Sequence, residues 1–242
     1  MASIGREDVA SLGTILGIWA HPDDESYLTA GIMAAASQAG SRVVCITATR
    51  GEAGSQDEER WPSAGIASVR ERELERSLEI LGISEHHWLD YVDGHCSSAA
   101  ASEAVGKLEA LIDGLRPDTV LTFGPDGQTN HPDHKAVHRW TVGAVQRLAL
   151  PHTRLMYAAV TREWHDQHVP YLSELNVFEP GTPVPYSRET LSIHFVLDDE
   201  LWDLKLRALK AQESQTQGFF EIVGDDYMRT IMTEEMFVAA DL

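Results

Sequence analysis

The chain has 242 residues, 43% of them hydrophobic, and its 19 basic and 38 acidic side chains leave a net charge of −19. That length fits one large α/β domain, and a surface so acidic speaks against nucleic acid or anionic membrane as a partner. There is no run of about 18 apolar residues to span a membrane, the acid-bearing opening "MASIGREDVA" lacks the apolar core of a secretory signal, and two cysteines, Cys45 and Cys96, make no disulfide framework; a cytoplasmic protein is expected.

In chain order, "TILGIWA" (14–20) reads as a buried strand and "YLTAGIMAAASQAG" (27–40) as a helix stopped by Gly40. "RVVCITAT" (42–49) is β-branched and strand-like. "GIASVRERELERSLEILG" (65–82) spaces Val69, Leu74, Leu78 and Leu81 helically before Gly82. A short strand "HHWLDY" (86–91), a helix "ASEAVGKLEALIDGL" (101–115), a strand "DTVLTFG" (118–124), a helix "PDHKAVHRWTVGAVQRLAL" (132–150) and a strand "RLMYAAV" (154–160) follow. Such alternation predicts a mostly parallel sheet covered by helices on both faces. The remainder is less regular. Residues 161–190 read as a long loop whose Trp164, Tyr171, Phe178 and Tyr186 shape a pocket, "LSIHFVLD" (191–198) as an edge strand, and 199–215 as an amphipathic helix. Apolar positions in "MRTIMTEEMFVAADL" (228–242), read as exposed, hint at an interface between copies of the chain. With no linker in sight, 1–242 is expected to be a single domain.

Ligands of open parallel sheets bind beyond the carboxyl ends of the strands. In this chain "HPDDE", "TRGEAGS", "DYVDG" and "GPDGQTNHPDH" each follow a strand, so all four are expected on one rim. His21 and Asp24, three apart in a post-strand turn, supply imidazole nitrogen and carboxylate oxygen, the ligands of Zn²⁺ and similar divalent ions. Asp23 then points elsewhere, close to the metal but unligated, where a general base for a metal-activated water belongs. Three adjacent anions without a cation repel one another, which is the physical clue that an ion sits there. In "NHPDHKAVH", His134 shares a helix face with either His131 or His138. One histidine from this stretch completes a two-His, one-carboxylate site, and a second is left to act as acid or oxyanion donor. Asp133 is placed to fix the tautomer of one of these rings. The bland reading of each cluster alone is a capped helix start; two such clusters after separate parallel strands make that reading unattractive. The remaining histidines stand apart, with His95, after "DYVDG", the one on the same rim. No G-x-S-x-G nucleophile elbow, phosphate loop or G-x-G-x-x-G turn is present.

"AHPDDE" (20–25) and "HPDH" (131–134) resemble the paired motifs of the zinc-dependent de-N-acetylases of the PIG-L/LmbE type, and "TATRGEAG", "RERELERSLEILG" and "LDYVDG" resemble further segments of that family. The resemblance implies a Rossmann-like α/β fold and one Zn²⁺, or another divalent metal, per chain. It implies His21, Asp24 and His134 as ligands, Asp23 as general base, His131 as oxyanion stabiliser or proton donor oriented by Asp133, and Arg70 as a sugar contact. The expected substrate is a small N-acetylglucosamine-type sugar or glycoconjugate. Two departures stand out: Asn130 precedes the second motif where glycine is frequent, and Gln212 occupies a late histidine position. The rival expectations are an amidase cleaving a larger N-acyl group, as from thiol conjugates, a non-catalytic metal-binding protein, and a metallophosphoesterase, which the charge of −19 and the single metal disfavour.

Overall fold

Short apolar and β-branched runs form the strands, and helices with one apolar face cover them. The computed structural model describes residues 5–241; residues 1–4 and 242, the ends of the domain expected over 1–242, lie outside the described residues. The elements are β1 (Ile15–Trp19), α1 (Asp24–Gln38), β2 (Val43–Thr49), α2 (Ile66–Ile80), β3 (Glu85–Tyr91), α3 (Ala101–Leu115), β4 (Thr119–Thr122), α4 (Gly127–Asn130), α5 (Pro132–Leu148), β5 (Arg154–Ala158), β6 (Val160–Thr161), α6 (Arg162–Glu174), β7 (Pro185–Tyr186), β8 (Ile193–Val196), α7 (Asp199–Ala211), α8 (Glu213–Met232) and β9 (Glu234–Ala239).

The main sheet runs β3-β2-β1-β4-β5-β9-β8. Its first five strands are parallel, with Ile15 opposite both Val43 and Thr119, and β9 closes the series antiparallel to β5 and β8. β1, β2 and β4 are buried along their whole length, as strands covered on both faces must be. From β1 the chain winds outward through β2 to β3, then returns through α3 to β4 on the other side of β1. That reversal opens a crevice at the carboxyl ends of β1 and β4, the place where such sheets hold ligands.

The C-terminal third departs from expectation in three ways. The expected strand 154–160 ends at Ala158, with Val160–Thr161 pairing separately with β7. The expected loop 161–190 contains α6, capped by Thr161, whose side chain accepts a hydrogen bond from the Trp164 amide at 3.2 Å, and continuing through Pro170. The large apolar residues of 228–239 are not exposed: Met228, Ile231, Met236, Phe237 and Val238 are buried as the end of α8 and as β9, and Met232 is half-buried. These positions therefore carry no signal of a contact between copies. Among the described residues no helix is long and apolar enough to cross a membrane.

Candidate metal centre and active site

The turn after β1 carries the first cluster. Asp24 opens α1, and its Oδ2 accepts from the backbone amides of His21 (2.8 Å) and Ala20 (3.1 Å), folding the carboxylate back over the turn and leaving Oδ1 free. Asp23 has φ +118°, a region side chains other than glycine rarely enter. Its carbonyl accepts the first helical hydrogen bonds from Ser26 and Tyr27, and its amide donates to Glu25 Oε2 at 3.1 Å.

The second cluster follows β4. His131 is the N-cap of α5: its Nδ1 accepts from the Asp133 amide at 3.2 Å, and Pro132 fills the first helical position, where no N–H is needed. His134 donates from Nδ1 to the Gly127 carbonyl at 2.9 Å and stacks on Phe123 with ring centres 4.1 Å apart, so its Nε2 points away from both.

Two ring nitrogens and a carboxylate converge between the clusters. His21 Nδ1 lies 3.2 Å from His134 Nε2, and the Asp24 carboxylate bridges them, with Oδ1 3.4 Å from His134 Nε2 and Oδ2 3.8 Å from His21 Nδ1. Ligands about 2.0–2.2 Å from one ion stand at about these separations from one another. Among the described residues, the tightest groupings of one donor atom per residue are His21 with His131 and His134, and His21 with Asp93 and Asp133. His21 Nε2 is held on the far side by Asp93 Oδ1 at 3.0 Å and Asp133 Oδ2 at 3.4 Å, the carboxylate–histidine arrangement that directs the other ring nitrogen to a metal. His131 stands beside both rings, its centre 4.8 Å from that of His21 and 5.0 Å from that of His134.

The electrostatics of the cluster centre on His21. Burial opposes charge on His21, but hydrogen bonds to Asp133 and Asp93 and the proximity of Asp24 outweigh it and raise the ring to about 10. Without a metal, this imidazolium is the positive charge at the centre of the cluster. Burial drives His134 down to about 4 and also lowers His131, which the charge on His21 lowers further. Both rings are therefore neutral at neutral pH. With Nδ1 accepting, neutral His131 carries its proton on Nε2. Burial raises Asp23 above the usual carboxylate range, against the pull of Arg70.

The expected residues thus meet around one cavity of about 760 Å³, lined by His21, Asp23, Asp24, Arg70, His131 and His134 among others. One of them makes different hydrogen bonds from those expected. The Asp133 carboxylate reaches His21 and the amides of Gly94 (2.7 Å) and Cys96 (3.1 Å), and only its backbone amide touches His131. Arg70, expected as a sugar contact, lies on the cavity wall, is 4% exposed, and donates to the carbonyls of Gly51 (3.0 Å) and Pro22 (2.6 Å) and to Asp23 Oδ2 (3.3 Å). At Gly51, where φ is +68°, a Cβ would lie 2.2 Å from Arg70 Nη1, so a side chain there would be strained and would displace the guanidinium. His95 is exposed, its ring hydrogen-bonded to the Asp93 carbonyl at 3.0 Å.

Sequence reasoning put the Asp93 segment on the rim but gave Asp93 itself no role, and it gave none to Glu52 or Gln212. Glu52 accepts from the Asp93 amide at 3.1 Å while Asp93 accepts from the Ala53 amide at 3.0 Å, locking two rim loops together. Gln212 donates to Glu25 Oε1 at 2.6 Å and to Ser26 Oγ at 2.9 Å, bracing the turn that presents Asp23.

The sequence profile of the family described as "PIG-L: GlcNAc-PI de-N-acetylase" matches residues 16–145, which contain both clusters. A "1D-myo-inositol 2-acetamido-2-deoxy-alpha-D-glucopyranoside deacetylase" of Corynebacterium kroppenstedtii is 37% identical over 165 residues, 57% of this chain and 42% of its own. The chain thus matches less than half the length of that relative. A protein of the same name from Saccharomonospora viridis is 32% identical over 200 residues, 70% of this chain and 74% of its own. Among solved structures, the N,N'-diacetylchitobiose deacetylase of Pyrococcus horikoshii shares the fold, with TM-score 0.69, 22% identity, and coverage of 97% of this chain and 86% of that one.

Proposed function

We propose that this chain, which belongs to the PIG-L family, is a divalent-metal-dependent N-deacetylase of N-acetylglucosamine-type sugars or glycoconjugates. The observation that carries the reading is the convergence of His21 Nδ1, His134 Nε2 and the Asp24 carboxylate, with Asp23 and His131 beside them in one cavity. The donor set fits zinc: two neutral-capable imidazoles and one carboxylate, each oriented by a hydrogen bond on its far side. Four Asp carboxylates gather around His21 and Arg70, an imbalance that a divalent cation corrects. His21, Asp24 and His134 would hold the ion. When bound it would polarise the acyl carbonyl and lower the pKa of water toward about 7.

The chain's own residues supply the rest. Asp23, held at the cavity wall by Arg70, takes a proton from the attacking water. His131 presents its Nε2–H to the carbonyl oxygen, whose negative charge grows as water adds to the carbon. The C–N bond then breaks, the amine departs with a proton, and acetate remains. Asp93 and Asp133 stay ionised: although burial opposes it, the hydrogen bond from His21 holds each below its usual value. They keep the His21 ring from rotating. A metal-binding protein without activity would need neither an unligated carboxylate in a disfavoured backbone region nor a helix-capping histidine on the same cavity. Cys45 and Cys96 are both free thiols, which supports a reducing, cytoplasmic setting.

The test is metal analysis of the purified protein together with acetate release from N-acetylglucosamine and N-acetylglucosaminyl-inositol. One divalent ion per chain with acetate released is the expected result. A protein that takes up no ion even when zinc is supplied would overturn the reading.

A further inference from the structure

The cavity has two chemically distinct ends. Around the donor triangle its wall is polar and charged, whereas away from it α6, the segment that follows, α8 and β9 contribute Trp164, Leu172, Phe178, Phe219, Ile231 and Met236. Much of this wall is not satisfied by the fold. Trp164, Phe178 and Phe219 are only half-buried, and Ile222, on the same cavity, is 63% exposed. Apolar side chains left facing an open cavity forgo the gain that burial would bring them. Among the described residues Arg70 is the one lysine or arginine on the cavity wall, and it is occupied with the turn at Asp23. The polar side chains that α8 and β9 add to the wall, Gln215, Glu234 and Glu235, are already hydrogen-bonded to Gly54, His194 and Lys205, so this end leaves few partners for the hydroxyls of an inositol or a second sugar, which need them when desolvated. Roughly 760 Å³ also falls within the ~300–1,000 Å³ of small-molecule sites, room for more than one sugar ring.

We propose that the substrate is amphipathic: an N-acylated amino sugar bearing an apolar group of several carbons that lies along α6 and α8 while the amide lies at the donor triangle. The inference rests on the deacetylase reading for the placement of the amide, but the apolar subsite is testable without catalysis. The apolar group has two chemical sources, the aglycone or the acyl chain itself.

Three compounds separate these sources: the methyl glycoside of N-acetylglucosamine, its octyl glycoside, and methyl N-octanoylglucosaminide, each kept below any micelle-forming concentration. Titration calorimetry with the metal-depleted protein reads the subsite alone. Since each buried methylene is worth up to roughly fourfold in affinity, one octyl compound should bind at least about tenfold more tightly than the methyl compound. Whichever carrier shows the gain identifies the source. A Phe178→Ser/Phe219→Ser variant should shrink the octyl-to-methyl ratio, and a ratio taken within one protein cancels any loss of folded material. With metal restored, kcat/KM for the three compounds should follow the same order. Equal affinities for all three compounds, or no binding by either octyl compound, would overturn the apolar subsite even if acetate is released from the methyl glycoside. An octyl gain without hydrolysis of any compound would leave the subsite standing and sink the deacetylase reading instead.

Discussion

Asp23 sits at φ +118°, a conformation that costs on the order of 1–3 kcal/mol and persists only where its surroundings enforce it. The surroundings here are specific: Arg70 holds the Pro22 carbonyl and the Asp23 carboxylate, and Glu25 holds the Asp23 amide. The strain aims an unligated carboxylate beside the donor triangle. Asp23→Asn keeps the shape and removes the base, so metal content should stay at the wild-type level while kcat falls about 10²–10⁴-fold; near-normal turnover would take Asp23 out of the chemistry. Arg70→Lys keeps the charge but offers a point donor where three acceptors are now met by a planar fork. It should lower kcat about tenfold or more with little change in metal content, and a change confined to KM would instead mark Arg70 as a sugar contact. The cluster was legible because His21 and Asp24 lie three residues apart in one turn, and His131 and His134 three apart at one helix start. Gln212 was not, because its hydrogen bond to Glu25 joins residues 187 positions apart. No local pattern announces such a contact.

At the scale of elements, α1 is what fixes the site, since its first residue is a proposed ligand and the residue before it the proposed base. A buried ion pair anchors this helix. Lys205, on α7, donates from Nζ to Glu235 Oε1 (2.8 Å) and to the Tyr27 carbonyl (2.9 Å), while Glu235, on β9, accepts from the amides of Gly31 and Ile32, both at 2.8 Å. Neither side chain of the pair is more than 1% exposed. The pair thus ties three elements together through the backbone of one. Lys205→Met leaves a buried carboxylate without its cation, which should cost about 3–5 kcal/mol, read as a lower urea midpoint; adding Glu235→Leu should recover part of that loss. Equal stability of Lys205→Met and wild type would mean that water or another group neutralises Glu235. The same pair explains why β9 escaped the sequence reading: an inward-facing Glu235 breaks the apolar alternation by which a strand is recognised. Pro170 inside α6 and the kink at Gly224 inside α8, where φ is +76°, hid those two helices in the same way. The parallel half of the sheet has no such interruptions, and its elements fell within a few residues of expectation.

For the whole molecule, a net charge of −19 with carboxylates converging on one crevice couples folding, protons and metal. The His21 ring is raised from its ordinary 6.5 to about 10 by the surrounding carboxylates. A raised pKa means that the folded state holds the proton more tightly than the unfolded chain does. The associated stability is fully present below about pH 6.5 and is lost as pH rises through about 10. Asp23, also raised, acts in the same direction. In the metal-free protein, stability should therefore fall as pH rises from about 7 to 9, by up to about 1.4 kcal/mol per pH unit for each proton released. A bound divalent ion replaces the His21 proton, so the loaded protein should lack this part of the decline, and the gap between loaded and metal-free melting temperatures should widen over that range. Groups remote from the site titrate alike in both forms and cancel in the gap. The same exchange predicts that metal binding at pH 7 expels about one proton or more, so that affinity rises about tenfold per pH unit. Calorimetry in buffers of different ionisation enthalpy counts those protons. A gap in melting temperature that stays constant with pH, together with no proton release, would show that the ion binds without displacing the proton of His21, and His21 would then not be a ligand.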